Sequence, residues 1–125
     1  LSVSYGGVNM IQEINLYVDD IRRCPDGFVV ARNYEEAIEL LNNNTINILS
    51  LDHDLGIDEH GVEKNGYDIV KYICEHGISP KKIYIHTDNV VGRDNMYHTL
   101  ISARNRGFIE QSTDIYRHGY VENRI

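Results

Sequence analysis

The sequence predicts an α/β domain built on a mainly parallel sheet, and three observations carry that expectation. Short apolar runs, INLYV, FVVA, INILSL and KIYIH, recur along the chain. Amphipathic helical stretches and loops lie between them, the alternation that βαβ units produce. The run Ile46–Leu51 (INILSL) is almost continuously apolar, as expected of a central parallel strand covered on both faces.

Taken in order, Ile14–Val18 reads as a first buried strand ending in Asp19-Asp20, and Phe28–Ala31 as a second. Nine residues separate them, fewer than a helical crossover needs. Pro25 and Gly27 suit an irregular return path that keeps the second strand parallel to the first; antiparallel pairing is the other possibility. Asn33 and Glu36 have the spacing of a capping box. Tyr34, Ala37, Ile38 and Leu41 form one apolar helical face, ended by Asn42-Asn43-Asn44. After Ile46–Leu51 come Asp52-His53-Asp54 and a polar segment, 56–65, expected to be a mobile loop. Gly66–Glu75 reads as a second helix with Ile69, Val70, Ile73 and Cys74 inward and Gly77 past its end. Ser79-Pro80 turns into a strand at Lys82–His86. A third helix is expected from about Arg93 to Arg106, burying Met96, Leu100, Ile101 and Ala103, with Gly107 as its stop and a last strand within Phe108–Tyr116.

The 125 residues suffice for one domain. Residues 10–125 are expected to form it. Residues 1–9 are set aside as an N-terminal extension or cloning remnant, with Met10 a candidate initiator. No apolar stretch is long enough to span a bilayer, and no export signal is visible. Cys24 and Cys74 have neither metal-ligand nor disulfide-framework spacing, so a cytoplasmic setting is the expectation. A net charge of −7 argues against an extended duplex-binding surface, though not against one nucleotide in a local pocket.

Ligands of open α/β sheets bind outside the carboxyl ends of the strands. Here those ends read VDDIR, SLDHDLG and IHTDN, each turning from apolar to ionisable at the same point of its unit. Asp19, Asp20, Asp52, His53, Asp54, His86 and Asp88 are therefore expected along one rim. Each piece has a structural reading of its own, since carboxylates cap turns and a strand-end histidine is often a packed one. Three such ends together point to a site. Carboxylates so gathered repel unless a cation or a raised pKa relieves them, and oxygen ligands suit Mg²⁺ or Mn²⁺. His60, His76, His98 and His118 lack this context and are read as surface residues.

The series VDDIRRCPDGFVVAR, SLDHDLG, GYDIV and IHTDNVVGRDNM, from about Asn15 to Met96, resembles the cyclic-phosphate processing receiver-like family. The resemblance implies a receiver-like, flavodoxin-type fold with an abbreviated first crossover. It also implies action on cyclic phosphates of nucleotides or RNA ends. Response-regulator receivers carry an acidic pair, a phosphoacceptor Asp, a Ser or Thr and a Lys. Asp19 with Asp20, Asp52 and Thr87 match the first three. The Lys has no counterpart, because the last lysine of the chain is Lys82.

The leading expectation is a phosphoesterase that processes, by hydrolysis, a cyclic phosphate on a nucleotide or RNA end. Asp19, Asp20, Asp52 and Asp54 would hold Mg²⁺ or Mn²⁺. Asp52, His53 and His86 would form the reaction centre, the histidines exchanging protons near neutral pH. Arg22, Arg32, Thr87, Asn89 and Arg93 would bind the substrate and its phosphate. The alternatives are a module that sequesters a cyclic nucleotide messenger without cleaving it, and a phosphoacceptor receiver, which the absent lysine disfavours. A metal-free two-histidine mechanism needs paired H-x-[ST] motifs, and His86-Thr87 and His98-Thr99 do not provide them.

Overall fold

The structure, a computed structural model, describes residues 2–5 and 8–121, with side chains from Ile11 onward. Ser2–Tyr5 (β1) and Val8–Ile11 (β2) pair antiparallel, so the segment set aside on sequence grounds, residues 1–9, is joined in one two-stranded sheet to Met10 and Ile11 beyond it. Leu1, Gly6 and Gly7 of that segment lie outside the described residues. The main sheet is made of Glu13–Val18 (β3), Phe28–Ala31 (β4), Thr45–Leu51 (β5), Lys82–Ile85 (β6) and Asp114–Tyr116 (β7). Its order is β4-β3-β5-β6-β7 and every pairing is parallel. This is the receiver-like arrangement expected, with β5 at its centre.

The β3–β4 connection contains no helix. Phe28 N–H closes a turn on the Pro25 carbonyl, and Gly27 supplies the positive φ of 82° that a side chain would resist. Three helices follow: Tyr34–Asn43 (α1), Gly66–His76 (α2) and Val90–Asn105 (α3). Asn33 caps α1 by accepting from Glu36 N–H, but Glu36 reaches back to Arg32 N–H, one residue earlier than a reciprocal box requires. The complete capping box stands at α2, between Asn65 and Asp68. Gly77 ends that helix in the left-handed conformation, φ 64°. Helix α3 begins at Val90, not near Arg93, because Asn89 accepts from Gly92 N–H and so starts the helix three residues earlier. Strand β6 ends at Ile85, before His86. The loop 56–65 is pinned by an Ile57–Glu63 bridge and by the Asp58 carboxylate, which accepts from His60 and Val62 N–H.

The core is a single cluster that takes Ala37 and Leu41 from α1, Ile69, Val70 and Ile73 from α2, and Met96, Leu100 and Ala103 from α3. From the strands it takes one alternate set: Leu16 and Val18, Leu49 and Leu51, Ile83 and Ile85, Ala31 and Ile115. A register shift beside Ile14 and Leu16 brings Ile46 into the same layer. The three helices therefore occupy one face of the sheet. The topology explains this. The three helical crossovers all advance in the same direction across the sheet, and right-handed crossovers that do so place their helices on one side. The only step in the other direction, β3 to β4, is too short for a helix. Cover on both faces of β5, expected from its apolar run, is thus corrected: helices cover one face only. The other face carries Tyr17, Ser50, Tyr84 and Tyr116, with the tail segment 117–121 reaching back to it through His118 C=O, which accepts from Ile85 N–H.

Candidate functional site

At the carboxyl edge the backbone ladder runs on past the strands. Asp52 N–H donates to Val18 C=O at 2.9 Å, His86 N–H to Leu51 C=O at 2.8 Å and Asp19 N–H to Ala31 C=O at 3.1 Å. This fixes Asp19, Asp52 and His86 side by side, two residues beyond Tyr17, Ser50 and Tyr84, and so on the face without helices. All three are buried. One ligand atom from each lies within 4.8 Å of the others, a grouping able to hold a metal ion.

Asp19 is the most constrained member. Its Oδ1 accepts from Ile21 N–H at 2.9 Å and Arg22 N–H at 2.8 Å, and its Oδ2 lies 2.9 Å from His86 Nε2. Burial alone would raise this carboxyl, but the Arg22 and Ile21 amides and the His86 ring outweigh it and hold the pKa below its usual value. Asp52 behaves in the opposite way. Burial pushes its carboxyl up, and the Asp19 charge adds to this, against a hydrogen bond from Thr87. Two adjacent buried carboxylates, one firmly ionised and one resisting ionisation, form a donor set that a divalent cation would relieve.

His86 has both ring nitrogens engaged: Nδ1 is 2.6 Å from Ser50 Oγ and Nε2 faces Asp19. Burial lowers its pKa more than Asp19 raises it, so the ring is neutral at pH 7. The tautomer that satisfies both neighbours has Nε2–H donating to Asp19 and Nδ1 accepting from the Ser50 hydroxyl.

His53 differs. Its Nδ1 lies 2.9 Å from Asp54 Oδ1 and 3.3 Å from Asn89 Nδ2, so it donates to the first when protonated or accepts from the second when not. Its Nε2 has no hydrogen-bond partner among the described residues. The ring lies against Gly92, where an added Cβ would come within 2.4 Å of it. Gly66 has a similar role for the neighbouring peptide: a Cβ there would fall 2.1 Å from the Asp52 carbonyl oxygen, and Gly66 N–H donates to His53 C=O.

The remaining sequence-derived candidates take distinct places. Thr87 is buried, bonds to Asp52 and accepts from Asn89 N–H. Asn89 combines capping of α3 with its contact to His53. Arg22 lies at the rim, 3.7 Å from Asp19 Oδ2 and 2.9 Å from Asp88 Oδ2. Arg32 is a brace, donating to the Asp19 and Arg22 carbonyls. Arg93 sits in the first turn of α3, and its guanidinium has no partner among the described residues. Asp20 has no hydrogen-bond or ion-pair partner among them, and Asp54, whose side chain is 71 % exposed, turns to His53; neither belongs to the buried grouping.

Sequence reasoning missed Tyr17, Ser50, Gly66 and Gly92. A hydroxyl inside an apolar strand run and two glycines within helices were the available signals, since glycine costs a helix about 1 kcal/mol and needs a reason to be there. A surface groove lined by Cys74, Thr99, Ser102, Arg106 and Phe108 lies at the helix C-termini, the far end of the domain, and holds no carboxylate. Among the described residues no helix is long and apolar enough to cross a membrane.

A family model described as the cyclic-phosphate processing receiver domain matches residues 14–102, the segment that contains every group of this rim. Neither a curated protein nor a solved structure matches the chain.

Proposed function

This chain belongs to the cyclic-phosphate processing receiver domain family, and from that premise we propose that it hydrolyses a cyclic phosphate on a nucleotide or RNA end. The observation that carries the reading is the buried Asp19–Asp52–His86 grouping, with His53 at its margin presenting a ring nitrogen that has no partner among the described residues.

The donors fit a divalent cation, Mg²⁺ or Mn²⁺, through Asp19, Asp52 and the Nε2 of His86, the imidazole favouring Mn²⁺. When bound, the ion supplies positive charge to the phosphoryl oxygens and makes water more acidic. In that arrangement His86 carries its proton on Nδ1, and Ser50 Oγ is placed to accept it, the outer-shell support that metal-bound histidines need. Asp20 and Asp54 are left to the rim.

His53 is the proton-transfer group of the proposal. Asp54 orients its Nδ1, which leaves Nε2 to take a proton from the attacking water and then to return one to the departing ribose oxygen. One phosphorus–oxygen bond forms to water, one ring bond breaks, and a phosphomonoester with a free hydroxyl results. Arg22 and Arg93 hold the non-bridging oxygens; Thr87 and Asn89 set the Asp52 and His53 side chains. A phosphoacceptor switch has less support. The cation following β7, Arg117, is paired with Asp94 and does not reach Asp52 as a receiver lysine would.

The test is turnover of nucleoside 2′,3′-cyclic phosphates and of cyclic-phosphate RNA ends with Mg²⁺ or Mn²⁺. A monoester product that disappears in His53→Gln is the expected result. Tight binding with intact ligand recovered would assign sequestration instead. Inertness toward all of these ligands would overturn the reading.

A further inference from the structure

Alternation along the strands places an aromatic row directly beneath the acidic one, on the face without helices, where Tyr17 and Ser50 are buried and the tail packs Gly119 against His86. Tyr17 precedes Asp19 by two residues, Ser50 precedes Asp52, and Tyr84 precedes His86, so each pair shares that face, about 7 Å apart along the strand. Tyr17, Ser50, Tyr84 and Tyr116 stand in register across four strands. Tyr84 and Tyr116 are stacked, centroids 4.6 Å apart and 15° from parallel. From the tail, Tyr120 meets Tyr84 edge-on at 5.5 Å and Phe28 at 4.9 Å. Phe28, Tyr84, Tyr116 and Tyr120 all keep partial exposure. The row is joined to the acidic grouping by the His86 ring, which stacks on Tyr17.

The composition of this face sets it apart from the other. The helix-covered face presents leucine, isoleucine and valine, the aliphatic surface that a packed layer requires. The face without helices presents flat rings, open only in part at Phe28, Tyr84, Tyr116 and Tyr120, with Asn15 and Asn47 hydrogen-bonded to one another below them at 2.9 Å. Rings offer their faces to any planar π-system, and amides can bond to base edges. We propose that this face is a stacking surface for the nucleobase of the ligand whose cyclic phosphate is held at the rim. This rests on the phosphate reading above and adds to it the place where the base is held. The net charge of −7 matches a ligand of one or a few nucleotides rather than a long phosphate track.

The experiment compares two probes by calorimetry with Mg²⁺, on a His53→Gln background so that neither is consumed. One is adenosine 2′,3′-cyclic phosphate; the other is methyl riboside 2,3-cyclic phosphate, in which a methoxy group replaces the base. The adenosine ligand is expected to bind roughly tenfold tighter, the scale of one base stacked on an aromatic ring. Tyr84→Leu and Tyr116→Leu should erase that advantage and leave the base-free ligand unaffected. Upfield shifts of tyrosine ring protons on adding only the adenosine ligand report the same contact without these tyrosine substitutions. Equal affinities, or equal weakening of both ligands by the tyrosine substitutions, would overturn the stacking surface while the phosphate reading stands. Binding of neither ligand would overturn both. A concentration-dependent dimer lost in Tyr116→Leu would give the face to a second copy of the chain and likewise overturn the proposal.

Discussion

The His86 imidazole lies flat on the Tyr17 ring, 4.3 Å between centroids and 3° from parallel. With Ser50 on one nitrogen and Asp19 on the other, the ring is fixed on three sides. Few orientations satisfy all three neighbours, so His86 behaves as a structural keystone of the rim as well as a candidate ligand.

That placement has a pH consequence. Burial sets the folded pKa of His86 below its ordinary 6.5, so the unfolded chain binds a proton at a higher pH than the folded one. Stability contributed by the neutral ring is present above about pH 6.5 and is lost as pH falls toward the folded pKa. Urea midpoints are expected to drop between pH 7.5 and pH 5.5. His86→Gln should flatten that dependence, and His86→Ala should cost about 2–3 kcal/mol at pH 7.5 by leaving Ser50 and Asp19 short of a partner.

Asp52 is expected to trade stability for function. Its carboxylate is buried beside Asp19, which raises its pKa, so the ionised form works against the fold. Asp52→Asn should unfold at a higher temperature, by about 1 kcal/mol of added stability. Mn²⁺ should raise the melting temperature of the parent chain and leave that of Asp52→Asn unchanged, a readout independent of turnover.

Gly92→Ala should separate chemistry from stability. The three atoms nearest the new methyl all belong to the His53 ring, a side chain that can swing away, and alanine is the better helix former by about 1 kcal/mol. Unfolding midpoints should therefore stay within about 1 kcal/mol of the parent while hydrolysis falls roughly tenfold or more.

Gly66→Ala should do the opposite. Its methyl would run into the Asp52 carbonyl oxygen, main chain that cannot yield without moving β5 or α2. A loss of more than about 3 kcal/mol, or failure to fold, is expected by denaturant titration.

Most of the framework could be read from the chain, because strand and helix periods are local signals. Pro25 and Gly27 between two apolar runs marked the helix-free return, and Asn33 marked a real cap. The start of α3 was missed: Val90 and Val91 are 56 % and 71 % exposed and so carry no inward period, and only the Asn89 cap betrays the helix. One-sided covering of the sheet was also hidden. An apolar run such as INILSL does not reveal which neighbours its two faces meet; strand order decides that. At the rim, alternation and strand ends sufficed to bring Asp19, Asp52 and His86 together. They could not show that His86 is saturated by Ser50 and Asp19, nor that Asp54 serves His53, because those are side-chain distances rather than positions in sequence.

The one-sided helix layer also divides how the strands can vary. Ile83 and Ile85 answer to the volume left by three helices, where a single methylene is felt. Lys82 and Tyr84, their immediate neighbours, face away from the helices, Lys82 exposed and Tyr84 partly exposed beside Tyr116 and Tyr120. Substitution tolerance measured position by position should therefore rise and fall with a period of two along β6 and β7, strict where the helices press and permissive in between. That rhythm would disappear if a second layer enclosed the other side.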